Sequence, residues 1–453
     1  MNIDSILAPK QIKEDADSLA QWGKDWTNGF DVAPRAIVFP ESNEQVQELV
    51  RFAIKENIAL VPSGGRTGLS GGAVASNGEV VVSFDRMNQI LDFNRQDRLV
   101  RCQAGVVTQV LQEFAAEQDM FYPVDFASSG SSQLGGNAAT NAGGIKVIRY
   151  GLTRDWVAGM RFVSGSGDLL DCNSGLVKNA TGYDLRHLVI GSEGTLGLIC
   201  ELDMRLAPMP EPQTVMVLGV PHVTDLLNVL DAFGRELQLS AFEFFSQLAL
   251  EKVQAHRELP SPLADPCDFY ALLEFDSLSL DAAAQAFEHC VAEGWVVDGV
   301  VSQSEAQAAS LWQLREGISE SIAPYTPYKN DLSVCIDQVP DFLADVDQFV
   351  NTSYPDFEVC WYGHIGDGNL HLNILRPENL SVEEFMAKGH AMSPKIFELV
   401  QARRGSISAE HGVGLLKRDF LNYSRSDAEI ALMQGLKNLF DPHGILNPGK
   451  LLV

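Results

Sequence analysis

The dipeptide Asp367-Gly368, set between alternating apolar residues, constrains this chain more than any other short feature. Asp-Gly flanked in this way is a strong local signal for two antiparallel strands joined by a two-residue turn. With Asp367 and Gly368 central, Gly366 faces Asn369, Ile365 faces Leu370, and His364 falls directly opposite His371. Directly opposed side chains on one sheet face have Cβ atoms roughly 4.5–5.5 Å apart, near enough for two imidazoles to hold one cation. The strand period of two sends Leu370, Leu372 and Ile374 to one face and Asn369, His371 and Asn373 to the other. From these residues alone two readings stand: half of a metal site, or a hairpin with two surface histidines.

A third ligand would separate them, and Ser408-Ala409-Glu410-His411-Gly412-Val413-Gly414 offers one. Two histidines and a carboxylate with an open fourth position suit a catalytic metal centre. Glu410 and His411 are adjacent and cannot share a face in regular structure. The Gly-Val-Gly that follows allows an irregular turn, so one residue could bind metal while its neighbour meets substrate. A surface loop is the alternative.

Composition narrows the class. At 453 residues the chain has room for two or three domains, and 45% hydrophobic with 21% charged residues is ordinary for a globular protein. No apolar run approaches the ~20 residues needed to span a bilayer, and the N-terminus lacks the basic and apolar regions of a signal peptide. Cytoplasm is the expected location, with loose membrane association left open. The seven cysteines show no C-x-x-C spacing, which argues against an iron–sulfur centre, a zinc ribbon or a disulfide framework. They are expected to be small buried hydrophobes. A net charge of −27 with no basic tract makes nucleic acid an improbable partner. An anionic substrate would need cations gathered locally.

From Pro34 the pattern reads strand, helix, strand. Ser42 and Gln45 have the form of a capping box, and Val46, Leu49, Val50 and Ala53 recur at helical spacing. Residues 58–61 lead into Pro62-Ser63-Gly64-Gly65-Arg66-Thr67-Gly68-Leu69-Ser70-Gly71-Gly72, whose glycines let backbone N–H groups face an anion. It is neither a Walker motif nor a dinucleotide G-x-G-x-x-G. Gly165-Ser166-Gly167 reads as a hairpin turn, so an NAD site is rejected. In residues 128–144 twelve of seventeen positions are Gly, Ala or Ser, which leaves a backbone lying against a large ligand, or a linker. A third glycine-rich element spans 190–199. After Pro208-Met209-Pro210-Glu211-Pro212 the glycine clusters stop and an α+β domain with an antiparallel sheet is expected. A helix over 303–323 would bury Leu311, Leu314, Ile318 and Ile322. It would present Trp312, Arg315 and Ser319 together on a neighbouring face, with Lys329 nearby. Arg and Lys so placed could hold a carboxylate or could be solvated surface charges.

Taken in order, the loop at 62–74, the stretches 128–151 and 178–199, Gly-His-Ile-Gly-Asp-Gly-Asn-Leu-His and Ser-Ala-Glu-His-Gly-Val-Gly resemble the FAD-linked D-2-hydroxyacid dehydrogenases of the vanillyl-alcohol-oxidase flavoprotein superfamily. The resemblance runs from about Pro34 through Asp441–Lys450 and is nearest to the D-2-hydroxyglutarate and D-lactate dehydrogenases. It implies an α+β architecture in three parts. These are a PCMH-type FAD-binding domain over 1–208, a substrate (cap) domain with the metal hairpin over 209–385, and a helical segment over 386–453 packing back on the FAD domain.

The resemblance further implies that Gly64, Gly65, Arg66, Thr67, Gly68 and Leu69 cradle the FAD pyrophosphate. Ser128, Ser129, Gly135, Gly136, Asn137, Thr140 and Asn141 would line the rest, with Glu193, Gly194, Ile199 and Asn447 also near the cofactor. Arg66 stands where many of the hydroxyglutarate enzymes have Asn. The loop lacks the His or Cys of covalent members, so FAD is expected to be non-covalent. His364, His371 and Glu410 would bind a divalent metal, zinc first, with manganese or iron as alternatives. Asn373 and His411 would face the substrate, His411 as general base, while Arg315, Ser319 and Lys329 would hold a substrate carboxylate. The expected reaction is oxidation of a D-2-hydroxyacid to the 2-oxoacid, D-2-hydroxyglutarate foremost. D-lactate or glycolate dehydrogenase, or the FAD subunit of a larger oxidase complex, are the alternatives. Electrons would pass to a quinone, a cytochrome, an electron-transfer flavoprotein or oxygen, and a homodimer is left open.

Overall fold

Short β-branched runs spaced by one helix dictate the first sheet. The computed structural model describes residue 3 and residues 6–453. In it β1 (Ile12–Lys13), β2 (Ala36–Val38), β3 (Leu60–Ser63) and β4 (Val80–Ser83) form one sheet, ordered β1-β2-β4-β3. β4 runs parallel to both β2 and β3, and β1 closes the edge antiparallel to β2. The helix Asn43–Glu56 carries the chain from β2 to β3 and buries Val46, Leu49, Val50 and Ala53, as its spacing predicts. Its cap differs from the expected box. Ser42 Oγ accepts from Gln45 N at 3.3 Å, but the Gln45 amide oxygen accepts from Glu41 N at 2.7 Å, one residue further back.

The next strands are β5 (Ile90–Asn94), β6 (Leu99–Gln103), β7 (Met120–Phe121), β8 (Val157–Ser164), β9 (Leu169–Cys172), β10 (Gly197–Arg205) and β11 (Ala207–Pro208). Five form an antiparallel sheet ordered β5-β6-β10-β8-β9, and β7 pairs with β11. β8 and β9 flank the Gly165–Asp168 turn, with Gly167 at φ +80°. Its place in a hairpin confirms that this glycine pair opens no nucleotide-binding helix. Phe162, Leu198, Leu202 and Met204 pack with Val38, Val46 and Leu49 in one core.

These strands belong to a unit made of residues through Gly144, 151–209 and 410–453; Ile145–Tyr150 and Pro210–Ala409 form a second unit. The proline run at 208–212 therefore marks a real change of texture. Residues 386–409 group with the second unit and 410–453 with the first, where the sequence reading treats 386–453 as one segment.

The second unit is built on seven antiparallel strands: β12 (Gln213–Val220), β13 (Leu239–Ser246), β14 (Phe269–Asp276), β15 (Asp298–Val301), β16 (Tyr328–Ser333), β17 (Glu358–His364) and β18 (Asn369–Leu375). Their order is β15-β12-β14-β13-β17-β18-β16. Against one face pack the helices Gln247–Arg257 and Glu305–Glu316, which bury Leu250, Val253, Trp312 and Leu314 with Phe245, Tyr270 and Leu272. The opposite face meets the helices Val339–Ser353 and Val382–Ala402, where Trp361 Nε1 donates to Asp347 at 2.8 Å and the Tyr328 hydroxyl bonds Ser393.

Two expectations need correction here. The helix expected over 303–323 breaks at Gly317, giving Glu305–Glu316, a short turn of helix Ile318–Ser321, and a 3₁₀ turn Ala323–Tyr325 that holds Pro324. Gly317 weakens helical continuity, and a Cβ there would lie 2.7 Å from Gln313 O. The hairpin turn is also longer than expected. Ile365–Gly368 form a four-residue connection, so His364 pairs with Asn369 and Tyr362 with His371. Gly368, at φ +81°, sits where a Cβ would meet Val334 O at 2.2 Å, so only glycine fits this turn position.

Of the seven cysteines, 102, 200, 267, 290 and 360 are buried as expected, whereas Cys172 is half-buried and Cys335 exposed. Among the described residues no helix is long and apolar enough to cross a membrane.

Candidate active site

The polar groups of the second unit collect at one end of the sheet face that also carries the helix Glu305–Glu316. Direct partners in an antiparallel pair share a face, so His364, Asn369, Tyr362, His371, Cys360 and Asn373 all point the same way. His364 and His371 are thus diagonal neighbours and not directly opposed. Their ring centroids are 5.2 Å apart with planes at 80°, and one ring nitrogen of each lies within 4.8 Å of the other.

Each imidazole is backed by a carboxylate. His364 is buried, and its Nδ1 lies 2.7 Å from Glu243 Oε1. Nδ1–H donation to that carboxylate leaves the lone pair on Nε2. His371, half-buried, has Nδ1 3.7 Å from Asp331 Oδ1, and Asp331 also accepts from Asn369 Nδ2 at 2.8 Å. Histidines with a carboxylate near Nδ1 are a common donor set for a divalent transition metal, and this pair fits one, with His364 held by a hydrogen bond and His371 only near its carboxylate.

Glu243 is 1% exposed, and its second oxygen lies 2.8 Å from Arg315 Nη2. The approach is a charge contact off the hydrogen-bond direction, leaving Nε and Nη2 of Arg315 without a hydrogen-bond acceptor. The guanidinium stacks over the Tyr362 ring with its carbon 4.8 Å from the centroid. Burial raises the Tyr362 hydroxyl pKa, with Arg315, Ser319 and Asn373 acting in the opposite direction. Lys329 pairs with Asn373 in the sheet register and donates to Ser319 Oγ at 3.1 Å. Its side chain keeps solvent access, yet desolvation by the surrounding protein holds its pKa below the ordinary lysine value. Asn373 is buried and donates to His371 O at 3.1 Å. The second unit therefore brings Arg315, Ser319, Lys329, Asn373, His364 and His371 onto one face.

Sequence reading missed Glu243 and Asp331, the two carboxylates behind the imidazoles. A signal for the first was present: Ala-Phe-Glu-Phe-Phe sets one charge in an otherwise apolar strand, and an ionised group is buried in such a strand only with partners. Glu274, in Leu-Leu-Glu-Phe, behaves alike, pairing with Lys146 at 3.1 Å and accepting from Trp312 Nε1 at 3.0 Å.

In the first unit the glycine-rich segments converge. Asn447 N donates to Leu60 O, Glu193 N to Ala139 O and Gly191 N to Ala138 O. A Cβ on Gly65 would stand 2.1 Å from Ser131 O. Arg66, Asn141, Glu193 and Asn447 all take positive φ, a conformation that non-glycine residues adopt at a cost. Arg66 is tied to Gly64 O at 2.9 Å and to Asp85 at 3.3 Å, and lies over Trp22. Asn137 is buried against Thr108, Thr140 Oγ1 donates to Gly136 O, and Asn141 accepts from Arg154 N. Ser128 and Ser129 lie in the turn before Gln133, Ile199 lines the core on β10, and Leu69 is exposed. Four buried polar atoms on these converging segments lack a hydrogen-bond partner: Ser63 Oγ, Gln133 Oε1, Ser192 Oγ and Asn447 Oδ1. Unsatisfied donors and acceptors gathered around close-packed backbone fit a large polar cofactor.

Glu193 organises the segment 410–414. Its buried carboxylate accepts from Val413 N and Gly414 N, both at 2.7 Å. Burial raises its pKa, while those two N–H groups pull the other way. Ser70 Oγ donates to His411 O at 2.8 Å, and Glu410 accepts from Gly144 N at 3.0 Å. Glu410 and His411 thus sit in a turn of the first unit pinned at several points.

Comparison with known proteins places a boundary between two family models between residues 173 and 209. Residues 34–173 match the FAD binding domain model, and residues 209–451 match the model for the C-terminal domain of FAD linked oxidases. The chain is 59% identical to a D-2-hydroxyglutarate dehydrogenase of Stutzerimonas stutzeri (strain A1501), over 99% of this chain and 97% of the relative. It is 51% identical to one of Xanthomonas citri pv. viticola, over 100% and 96%. The solved structure of p-cresol methylhydroxylase with substrate bound shares the fold, with a TM-score of 0.76 at 15% identity, over 99% of this chain and 95% of that one. A PCMH-type FAD-binding unit followed by an antiparallel α+β unit is what both fold and sequence give, and the chain belongs to the FAD-linked oxidases.

Proposed function

We propose that this protein oxidises D-2-hydroxyglutarate to 2-oxoglutarate with non-covalent FAD and a divalent metal ion. The observation that carries the reading is the placement of Arg315, Ser319 and Lys329 on the same sheet face as His364 and His371, in a chain whose relatives above 50% identity are D-2-hydroxyglutarate dehydrogenases. A five-carbon diacid needs recognition at both ends, and this face supplies two kinds of anchor.

His364 and His371 would hold the metal through Nε2, with Glu410 as third ligand by the sequence pattern. Zinc is the first candidate for such a set, then manganese or iron. The metal, when bound, supplies a Lewis acid for the α-hydroxyl and C1 carboxylate. FAD, when bound in the glycine-rich cradle, supplies the two-electron acceptor. Oxidation of a 2-hydroxyacid removes a hydride from C2 and a proton from the hydroxyl, and His411 is the group assigned to take that proton. Asn373 orients the substrate. Arg315 and Lys329 receive the distal carboxylate; with Glu243 ionised the three carry a net charge of about +1, enough to favour a second carboxylate in a protein of net charge −27. Reoxidation would use a quinone, a cytochrome or an electron-transfer flavoprotein, and the cytoplasm is the proposed location.

Anaerobic mixing of the purified flavoprotein with D-2-hydroxyglutarate, D-lactate, D-malate and glycolate tests the proposal. Flavin absorbance should bleach with D-2-hydroxyglutarate at far lower concentration than with the others. Equal bleaching by D-lactate would overturn the substrate assignment, and no bleaching by any acid would overturn the activity.

A further inference from the structure

Glu243 is among the most deeply buried ionisable groups of the second unit, and each of its oxygens faces a residue with a different proposed task. Oε1 is 2.7 Å from His364 Nδ1, and Oε2 is 2.8 Å from Arg315 Nη2. A carboxylate so enclosed persists only with partners for both oxygens, and its geometry admits both at once because β13 lies beside β17 in the sheet. We propose that Glu243 is a positioning residue that links metal binding to carboxylate recognition, orienting His364 and Arg315 together. The inference rests on the metal and diacid reading given above.

The orientation has a physical basis at each end. Accepting from Nδ1 fixes the His364 tautomer with its lone pair on Nε2 and the ring orientation with it. Holding Nη2 by charge while Tyr362 supports the guanidinium plane leaves the Arg315 Nε and Nη2 donors for an incoming carboxylate. The two contacts share one carboxylate, so a change at Arg315 is felt at His364.

The test measures zinc affinity of the FAD-loaded, metal-stripped protein by competition with a chromophoric chelator, with no substrate present. Glu243→Gln removes the charge that His364 Nδ1 and the Arg315 guanidinium both face, leaving one neutral acceptor oxygen beside the imidazole. Its zinc Kd should weaken at least tenfold, within the ~10–100-fold range for loss of a partner behind a metal ligand. Arg315→Met should tighten zinc several-fold when Glu243 is present, by returning the carboxylate wholly to His364, and by less than twofold in the Glu243→Gln background. Equal effects of Arg315→Met in both backgrounds would overturn the link, as would a Glu243→Gln Kd within twofold of the parent. His364→Ala and His371→Ala separate the two levels. If these bind zinc like the parent, the metal reading fails; if they lose zinc while Glu243→Gln does not, only the role of Glu243 fails. Should Glu243→Gln purify without flavin, Arg315→Met alone decides, and an unchanged zinc Kd overturns the proposal.

Discussion

Arg315 lies over Tyr362, its guanidinium carbon 4.8 Å from the ring centroid, at the point where a helix meets the face of a sheet. The contact supports the cation from the ring face without consuming its N–H donors. A desolvated cation–π contact contributes about 2 kcal/mol. Tyr362→Leu is therefore expected to raise KM for D-2-hydroxyglutarate by up to about thirtyfold, while Tyr362→Phe, which keeps the ring, changes it less than threefold. Steady-state kinetics on the two variants checks this, and equal effects would show that the hydroxyl and not the ring matters.

Removal of Arg315 has a second consequence. Arg315→Ala leaves Glu243 buried beside His364 alone, and breaking a buried pair costs about 3–5 kcal/mol. A clear drop in the thermal midpoint should accompany a sharp rise in KM for the diacid and a small one for D-lactate. A proportional rise for both acids would contradict the clamp.

Lys329 gives a pH signature. Desolvation lowers its folded-state pKa below the ordinary value of 10.5. The unfolded chain then binds more protons than the folded one between the two pKa values, so this group's contribution to stability rises with pH across that window and is lost as pH falls through the folded pKa. Diacid binding needs the charged form and runs the other way. KM for D-2-hydroxyglutarate should climb on the alkaline side, beginning below pH 10.5. Lys329→Arg, charged throughout, should remove that limb; a limb that persists in this variant would place its origin elsewhere.

Two glycines of the first unit should separate fold from cofactor. Gly65→Ala drives a Cβ to 2.1 Å from Ser131 O, so both loop structure and flavin content should suffer. At Gly136 no protein atom lies within 4 Å of an added Cβ. Gly136→Ala should fold normally and still purify with flavin reduced at least several-fold, as read from the ratio of flavin to protein absorbance. Full flavin occupancy would remove Gly136 from the cofactor surface.

Much of this was legible in the chain because β-structure tolerates some errors. The turn after His364 is two residues longer than Asp367-Gly368 suggests, which shifts the register by two. A shift of one would have sent His371 to the other face, but a shift of two preserves every side. Hence the histidine pair, Asn373 and their shared face were readable although the pairing was not. Local spacing suggested that Arg315 and Ser319 are neighbours with Lys329 close by, and they are, even though Gly317 interrupts the helix that was to carry the first two. What escaped depends on distant pairing. Glu243 meets His364 across 121 positions of sequence, and no local periodicity reports such a neighbour. Glu193 and Val413 are 220 positions apart, so the carboxylate that pins the Glu410-His411 turn was read only as a cofactor neighbour. The transfer of Ile145–Tyr150 to the second unit was equally invisible, for it rests on Arg149 reaching Asp276 and on Lys146 reaching Glu274.

The distance along the chain between Glu243 and His364 also orders assembly. Closing so long a segment is entropically slow, and strand β13 must seat against both β14 and β17 before the carboxylate can reach the imidazole. On the metal reading proposed above, the ion would arrive at a finished scaffold instead of nucleating one. Chelation should silence this protein without unravelling it, in contrast to small zinc domains whose polypeptide cannot fold until the ion is present.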